Sequence, residues 1–286
     1  MTVTLRQILK RAKQAGYAVA AFNVTNLETA QAAVGAAIKQ RSPVIISLSE
    51  SAARYGGRPL FAAVRVLADE APVPIVIHLD HHTDFELIKA GLSWGASSVM
   101  FDGSLLPLAG NIVQTRRAVR LARRFGASTE GEVGTIGGQE EAGSQAVCLA
   151  VAGEAARFVR ATKVDALALG LGTSHGLPVP HETIHLNILD EYYHLTTTPV
   201  VLHGASNLPV ATIRAGIRHG VTKINIDTQL RQIFTATVRE VLTNDEDCIN
   251  PRDYLAPARQ AMQSEAAQLL KRFGSVNEAH ALRRNR

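Results

Sequence analysis

The chain is patterned as short, continuously apolar runs separated by amphipathic stretches. The runs occupy residues 19–22, 44–48, 75–79, 97–101, 128–133, 166–169, 200–202 and 223–226. They are not alternating, as expected of parallel strands buried on both faces. Between them, a segment such as 27–40 places Leu27, Ala30, Val34, Ala37 and Ile38 on one helical face. Gly16, Gly91, Gly95, Gly126 and Gly220 stand where helices should stop. Eight strands alternating with helices, with no linker-like stretch, predict an α/β fold: one (β/α)8 TIM barrel covering residues 1–286. A last helical stretch, about 254–273, falls beyond the eighth unit as an extra C-terminal helix.

Such barrels carry their chemistry at the C-terminal ends of the strands. Those positions hold Asn23, Ser49, Asp80 with His81, Asp102, Glu130 with Glu132, His175, His203, and Asn225 with Asp227. Any one of them reads as an N-cap for the next helix. The whole set points to a site. His81, His175 and His203 would project from strands three, six and seven into one mouth, and three neutral imidazoles suit Zn²⁺. Asp80 is placed either to move a proton on a metal-bound sugar or to orient the histidine.

Two glycine segments, Gly172-Thr-Ser-His-Gly176 and His203-Gly-Ala-Ser-Asn207, follow the second and third histidines, and Asn225-Ile-Asp-Thr228 ends strand eight. Loops after strands seven and eight form the usual phosphate cradle of this fold. A third segment, Gly134-Thr-Ile-Gly-Gly-Gln-Glu-Glu141, reads as a mobile loop able to swing Glu140 over a substrate. Its bland reading leaves Glu140 and Glu141 as solvated acids. Two motifs mislead. Gly170 to Gly176 has the wrong spacing for a dinucleotide fingerprint. His181-Glu-Thr-Ile-His185 is a literal zinc-protease motif, but Pro178 and Pro180 precede it and no downstream ligand follows.

Composition narrows the class. With 46% hydrophobic residues the chain has material for a core, which excludes a disordered or disulfide-stapled protein. No apolar run approaches the roughly 20 residues of a membrane span, and the N-terminus lacks a signal-peptide core. Cys148 and Cys248 form no metal or redox spacing, so reduced thiols and a cytoplasmic location are expected. The formal charge is +5. Its densest clusters, Arg116 to Arg124 and Arg283 to Arg286, read as a helix face and a frayed tail. No basic stripe interleaves with aromatics, so nucleic acid is not the expected partner; a small anionic metabolite fits better.

Seven motifs occur in register: Leu79-Asp-His-His82, Met100-Phe-Asp-Gly-Ser104, Glu130-Gly-Glu-Val-Gly134, Gly137-Gly-Gln-Glu140, Gly172-Thr-Ser-His-Gly176, Leu202-His-Gly-Ala-Ser206 and Lys223-Ile-Asn-Ile-Asp-Thr228. Together they resemble the class II, zinc-dependent fructose/tagatose-bisphosphate aldolase family, over about 22–274. The resemblance implies reversible cleavage of a ketose 1,6-bisphosphate to dihydroxyacetone phosphate and glyceraldehyde 3-phosphate. It casts His81, His175 and His203 as zinc ligands, with Asp102 and Glu132 as a second metal site. Asp80 becomes the acid/base on the C4 hydroxyl, and Glu140 the residue that shuttles the proton of dihydroxyacetone phosphate. Gly176, Gly204, Ala205, Ser206, Asn225, Ile226, Asp227 and Thr228 become its binding segments, where members also hold Na⁺ or K⁺. Arg252 takes the far phosphate, commonly across the subunit interface of a homo-oligomer (dimer or tetramer), and Asn23 and Ser49 line the site.

The chain departs from the family at Asn207, where many members have glycine, and at Pro178 and Pro180; both bear on substrate choice. The strand-eight motif with Asp227 favours fructose, while Leu-Asp-His-His and Gly-Ala-Ser-Asn favour tagatose. The residues do not decide between the two sugars. A reading of another class, a non-catalytic barrel subunit supporting another aldolase, conflicts with the complete set of histidines, Asp80 and Glu140.

Overall fold

A computed structural model describes residues 1–140, 143–176 and 183–279. In chain order the elements are α1 (Leu5–Ala15), β1 (Val19–Asn23), α2 (Leu27–Gln40), β2 (Val44–Ser49), α3 (Glu50–Glu70), β3 (Ile75–His82), α4 (Phe85–Ser93), β4 (Ser98–Phe101), α5 (Leu108–Arg124) and β5 (Ser128–Val133). There follow β6 (Gly137–Glu140), β7 (Gly143–Gln145), α6 (Ala152–Thr162), β8 (Ala166–Leu169), β9 (Ser174–His175), α7 (Leu186–Leu195), β10 (Val200–Leu202), α8 (Val210–Arg218), β11 (Val221–Ile226), α9 (Thr228–Asn244) and α10 (Pro251–Arg272).

Eight strands close a parallel barrel in the order β1-β11-β10-β8-β5-β4-β3-β2. The eight apolar runs are those strands; β1, β2 and β3 run one to three residues further at the rim, and β11 begins two residues earlier. α10 is the additional C-terminal helix, packed across α2 and α9. One element lay outside the expectation: β6, β7 and β9 form a separate small sheet in the order β7-β6-β9. The glycine segment read as a loop therefore supplies a strand.

Inside the barrel the two-residue period sorts chemistry by depth. The N-terminal half is apolar: Val19, Ala21, Ile45, Val76, Met100, Ala166, Ala168 and Val201 join one buried cluster with Leu5, Ile8, Leu9 and Ala12 of α1. α1 thus plugs the floor of the barrel. Its start is fixed by a capping box between Thr4 and Gln7 and its end by Gly16 in the left-handed region. One pleat higher the interior turns polar, with Ser47, His78, Glu130 and Lys223 all buried. Next come Ser49, Asp80, Glu132 and Asn225 at the rim.

Two sequence expectations need correction. Gly91 lies inside α4 rather than at its end. A Cβ there would stand 2.7 Å from the Leu79 side chain, so the glycine serves close packing of α4 on β3. On α2, Ala30, Val34 and Ala37 are buried, but Leu27 and Ile38 are exposed. The helix instead buries Ala32, Ala33 and Ala36 as well, because α10 covers a second flank that periodicity alone does not reveal.

Because Leu9 is fully buried in the floor cluster, Leu9→Ala should cost about 2–5 kcal/mol in urea unfolding, the usual range for emptying a core leucine site. A loss below about 1 kcal/mol would mean that α1 is not an integral part of the core.

Candidate active site

The rim of the barrel opens into a cavity of about 350 Å³. Asn23, Ser49, Asp80, His81, His175, Gly176, Gly204, Ser206, Asn225, Asp227 and Thr228 line it, together with Val24, Thr25, Ser51, Ser174 and Arg231. Consecutive strand residues should face opposite sides, yet both Asp80 and His81 reach this cavity. The cause is local. The register of β3 on β4 shifts between Leu79 and His82, and His81 takes φ 52°, a left-handed conformation costly for a non-glycine residue.

His203 follows β10 directly. His175 arrives differently: it sits not on the sixth barrel strand, which ends at Leu169, but on β9 of the small sheet. The three rings nevertheless converge, with centroids 4.6 Å apart for His81 and His203, 5.4 Å for His81 and His175, and 5.7 Å for His175 and His203. One nitrogen from each lies within 4.8 Å of the others.

His81 Nε2 lies 2.9 Å from His203 Nδ1. The opposite nitrogens are held by carboxylates: His81 Nδ1 by Asp102 at 2.8 Å, and His203 Nε2 by Glu130 at 3.1 Å. Carboxylates behind imidazoles orient metal ligands in this way. Burial pushes the His203 imidazole down to about 4, against the opposing hydrogen bond to Glu130. The ring is therefore neutral at physiological pH, as a metal ligand must be. Three imidazoles, each of which ligates through a neutral ring nitrogen, make a donor set that fits Zn²⁺. His81, Asp102 and Glu132 form a second candidate group that shares His81.

Asp80 is buried at the cavity floor and accepts hydrogen bonds from Asn23 Nδ2 at 2.9 Å and Asn225 Nδ2 at 3.1 Å. Burial alone would raise its pKa. The contact with His78 and the charge of the buried Lys223 instead hold it well below the usual carboxylate range. Asp80 is thus an ionised acceptor with a fixed orientation.

The phosphate-type loops also meet here. Gly204 has φ 66°, and a Cβ on it would stand 2.7 Å from the Ser174 backbone, so only glycine allows the two loops to touch. Asn207 donates from Nδ2 to the Gly176 carbonyl at 2.9 Å. The residue that departs from the family pattern therefore ties one loop to the other.

The model of the class-II fructose-bisphosphate aldolases matches residues 3–278. The chain belongs to this family. The probable fructose-bisphosphate aldolase of Bacillus subtilis is 38% identical, with 97% of this chain and 99% of that protein covered. The fructose-bisphosphate aldolase of Thermus caldophilus is 39% identical over 98% and 100%. Among solved structures, the YdjI aldolase of Escherichia coli K12 superposes with a TM-score of 0.85 at 28% identity, covering 98% of this chain and all of the other. The chain is therefore an aldolase, a carbon–carbon lyase, of a family that generally uses a divalent metal. The non-catalytic reading is not supported.

Not every expected residue lines the aldolase cavity. Ala205 and Ile226 are buried and do not line it, and Arg252 is exposed at the start of α10. The backbone of Glu140 ends β6, which pairs alongside His175 through Gly138. Glu141, Pro178, Pro180, His181 and the terminal arginines lie outside the described residues. His185 immediately precedes α7, and residues 183–185 are not helical, so the protease motif lacks the helix it requires.

Sequence reasoning missed three residues. Lys223 Nζ, fully buried, donates to Glu130 Oε2 at 2.7 Å and lies 3.2 Å from His78 Nε2. The signal was present: lysine, glutamate and histidine interrupt apolar strands, where such residues are buried only when paired. The third is Arg231, on the first turn of α9.

Lys223→Met should cost about 3–5 kcal/mol in urea unfolding, because Glu130 is left buried without its counter-charge. Adding Glu130→Gln should recover part of that loss. A double variant no more stable than the single one would show that the two residues act independently.

Proposed function

We propose that this aldolase reversibly cleaves fructose 1,6-bisphosphate to dihydroxyacetone phosphate and glyceraldehyde 3-phosphate, using Zn²⁺. The observation that carries the reading is the convergence of three imidazoles beside an ionised, anchored carboxylate in one cavity. The names of the Bacillus subtilis and Thermus caldophilus relatives support fructose over its C4 epimer, tagatose.

His81, His175 and His203 would hold the ion, which supplies Lewis acidity at the ketose carbonyl. Asp80 accepts the C4 hydroxyl proton as the C3–C4 bond breaks, and its two asparagine donors keep it aimed. Glu140 returns a proton to the carbon left electron-rich. Backbone N–H groups around Gly176, Gly204, Ser206 and Thr228 hold the phosphate of the dihydroxyacetone half. In a homo-oligomer, Arg252 serves the cavity of a second copy; its place outside its own chain's cavity supports that role.

Cleavage should be faster on fructose 1,6-bisphosphate than on tagatose 1,6-bisphosphate, vanish on chelation and return with Zn²⁺. Borohydride added with substrate should leave the enzyme active. Covalent trapping would instead identify an imine, with Lys223 the first lysine to examine, and would sink the metal reading. Equal or faster tagatose cleavage would reverse the sugar assignment.

The ligand set has its own test. His203→Ala should lose both zinc and cleavage, whereas His185→Ala should retain both, with a stability loss of roughly 0–2 kcal/mol. Metal analysis giving the opposite pair of results would remove His203 from the site.

A further inference from the structure

α5 carries Arg116, Arg117, Arg120, Arg123 and Arg124, and neither an aspartate nor a glutamate. Helical arginines elsewhere in the chain are matched by a carboxylate one turn away, as Arg54 is by Glu50 and Arg65 by Asp69. On α5 like charges stand four residues apart instead, at Arg116 and Arg120 and again at Arg120 and Arg124, which weakens a helix. The helix dipole accounts for Arg123 and Arg124 in the last turn, but not for the others.

Three of these arginines, Arg117, Arg120 and Arg124, line a groove of about 270 Å³ between α5 and α4, where Lys89 joins them. The one carboxylate on its walls belongs to Glu86. Among the described residues no carboxylate forms an ion pair with any of the four cations. Arg117 is held in place: its guanidinium lies 3.9 Å from the centroid of the Phe85 ring, and Phe85 stacks in turn on Phe101 at 5.2 Å. A guanidinium fixed by its face keeps the N–H donors along its edge for an anion. From Arg117 to Arg124 the cations extend along roughly 10 Å of helix, a span that suits two phosphate groups better than one. It is short for a nucleic-acid strand, and Arg116 and Arg123, which would broaden it, do not line the groove. None of the groove residues lines the catalytic cavity.

We propose that the groove between α4 and α5 is a second binding site of this chain, which takes a small metabolite bearing two phosphate groups. Arg117, Arg120 and Arg124 grip the phosphates from one wall and Lys89 from the other. The assignment does not depend on which sugar the catalytic cavity cleaves.

Equilibrium dialysis of the zinc-loaded enzyme against propane-1,3-diol bisphosphate, which has two phosphates and no carbonyl, tests it. The catalytic cavity can take the same probe, so the groove is isolated by variants rather than by total binding. Wild type should bind one more equivalent per chain than Arg117→Gln/Arg120→Gln, whose affinity at the groove should fall roughly 10-fold or more. Arg116→Gln/Arg123→Gln removes the same charge from the same helix outside the groove and should keep the extra equivalent. Lys89→Gln, on the other wall, should weaken the same site and guards against a disturbance confined to α5. Equal zinc content, unfolding midpoints and cleavage rates check that the fold and the catalytic cavity are intact. Equal losses in the two arginine pairs would show a diffuse positive field and overturn the proposal. Equal binding by wild type and all the variants would overturn it too.

Discussion

The site depends on an ammonium group that cannot reach water. Lys223 is fully buried in the barrel interior, and its charge is met by Glu130. Isolated charges in such surroundings are too costly to persist, so the pair must form whenever the barrel closes. Once Oε2 of Glu130 is committed to Lys223, its Oε1 meets His203 Nε2. That leaves His203 Nδ1 toward His81. The orientation of an imidazole at the rim is thus set by electrostatics one pleat below it. The same lysine helps keep Asp80 ionised.

This arrangement explains why the barrel is apolar below and polar above. The floor, sealed by α1, supplies burial energy without acids, histidines or lysines. The polar layer above it is costly in desolvation, and its members recover that cost only in each other's company. Disturbing one of them changes the environment of several. Floor residues, by contrast, act through stability alone, which separates the part of the chain that folds the barrel from the part that does chemistry.

The barrel was legible because parallel strands buried on both faces are largely apolar, and most of the eight runs met that condition; 128–133, with Glu130 and Glu132, and 223–226, with Lys223 and Asn225, were carried by their spacing instead. His81, His203 and Asp80 were legible because strand ends define the rim. His175 was legible as a rim residue but not as part of a second sheet, since a two-residue strand carries no periodicity. The bulge at His81 was also hidden: nothing in Leu-Asp-His-His announces a left-handed histidine. Lys223 was overlooked because a reading tuned to strand ends passes over strand middles. Arg231 was missed for a related reason: it lies on a helix, beyond the strand-end positions that the fold rule singles out.

The second sheet changes what it means for this site to be assembled. Two of its three imidazoles belong to the barrel, and the third belongs to an appendage whose central strand, β6, ends at Glu140. An ion bound by all three would cross-link that appendage to the barrel, closing a loop much as a staple does. The register of Gly138 with His175 would then be fixed by the ion as well as by the backbone. Metal capture and the seating of β9 against β6 would then be one event.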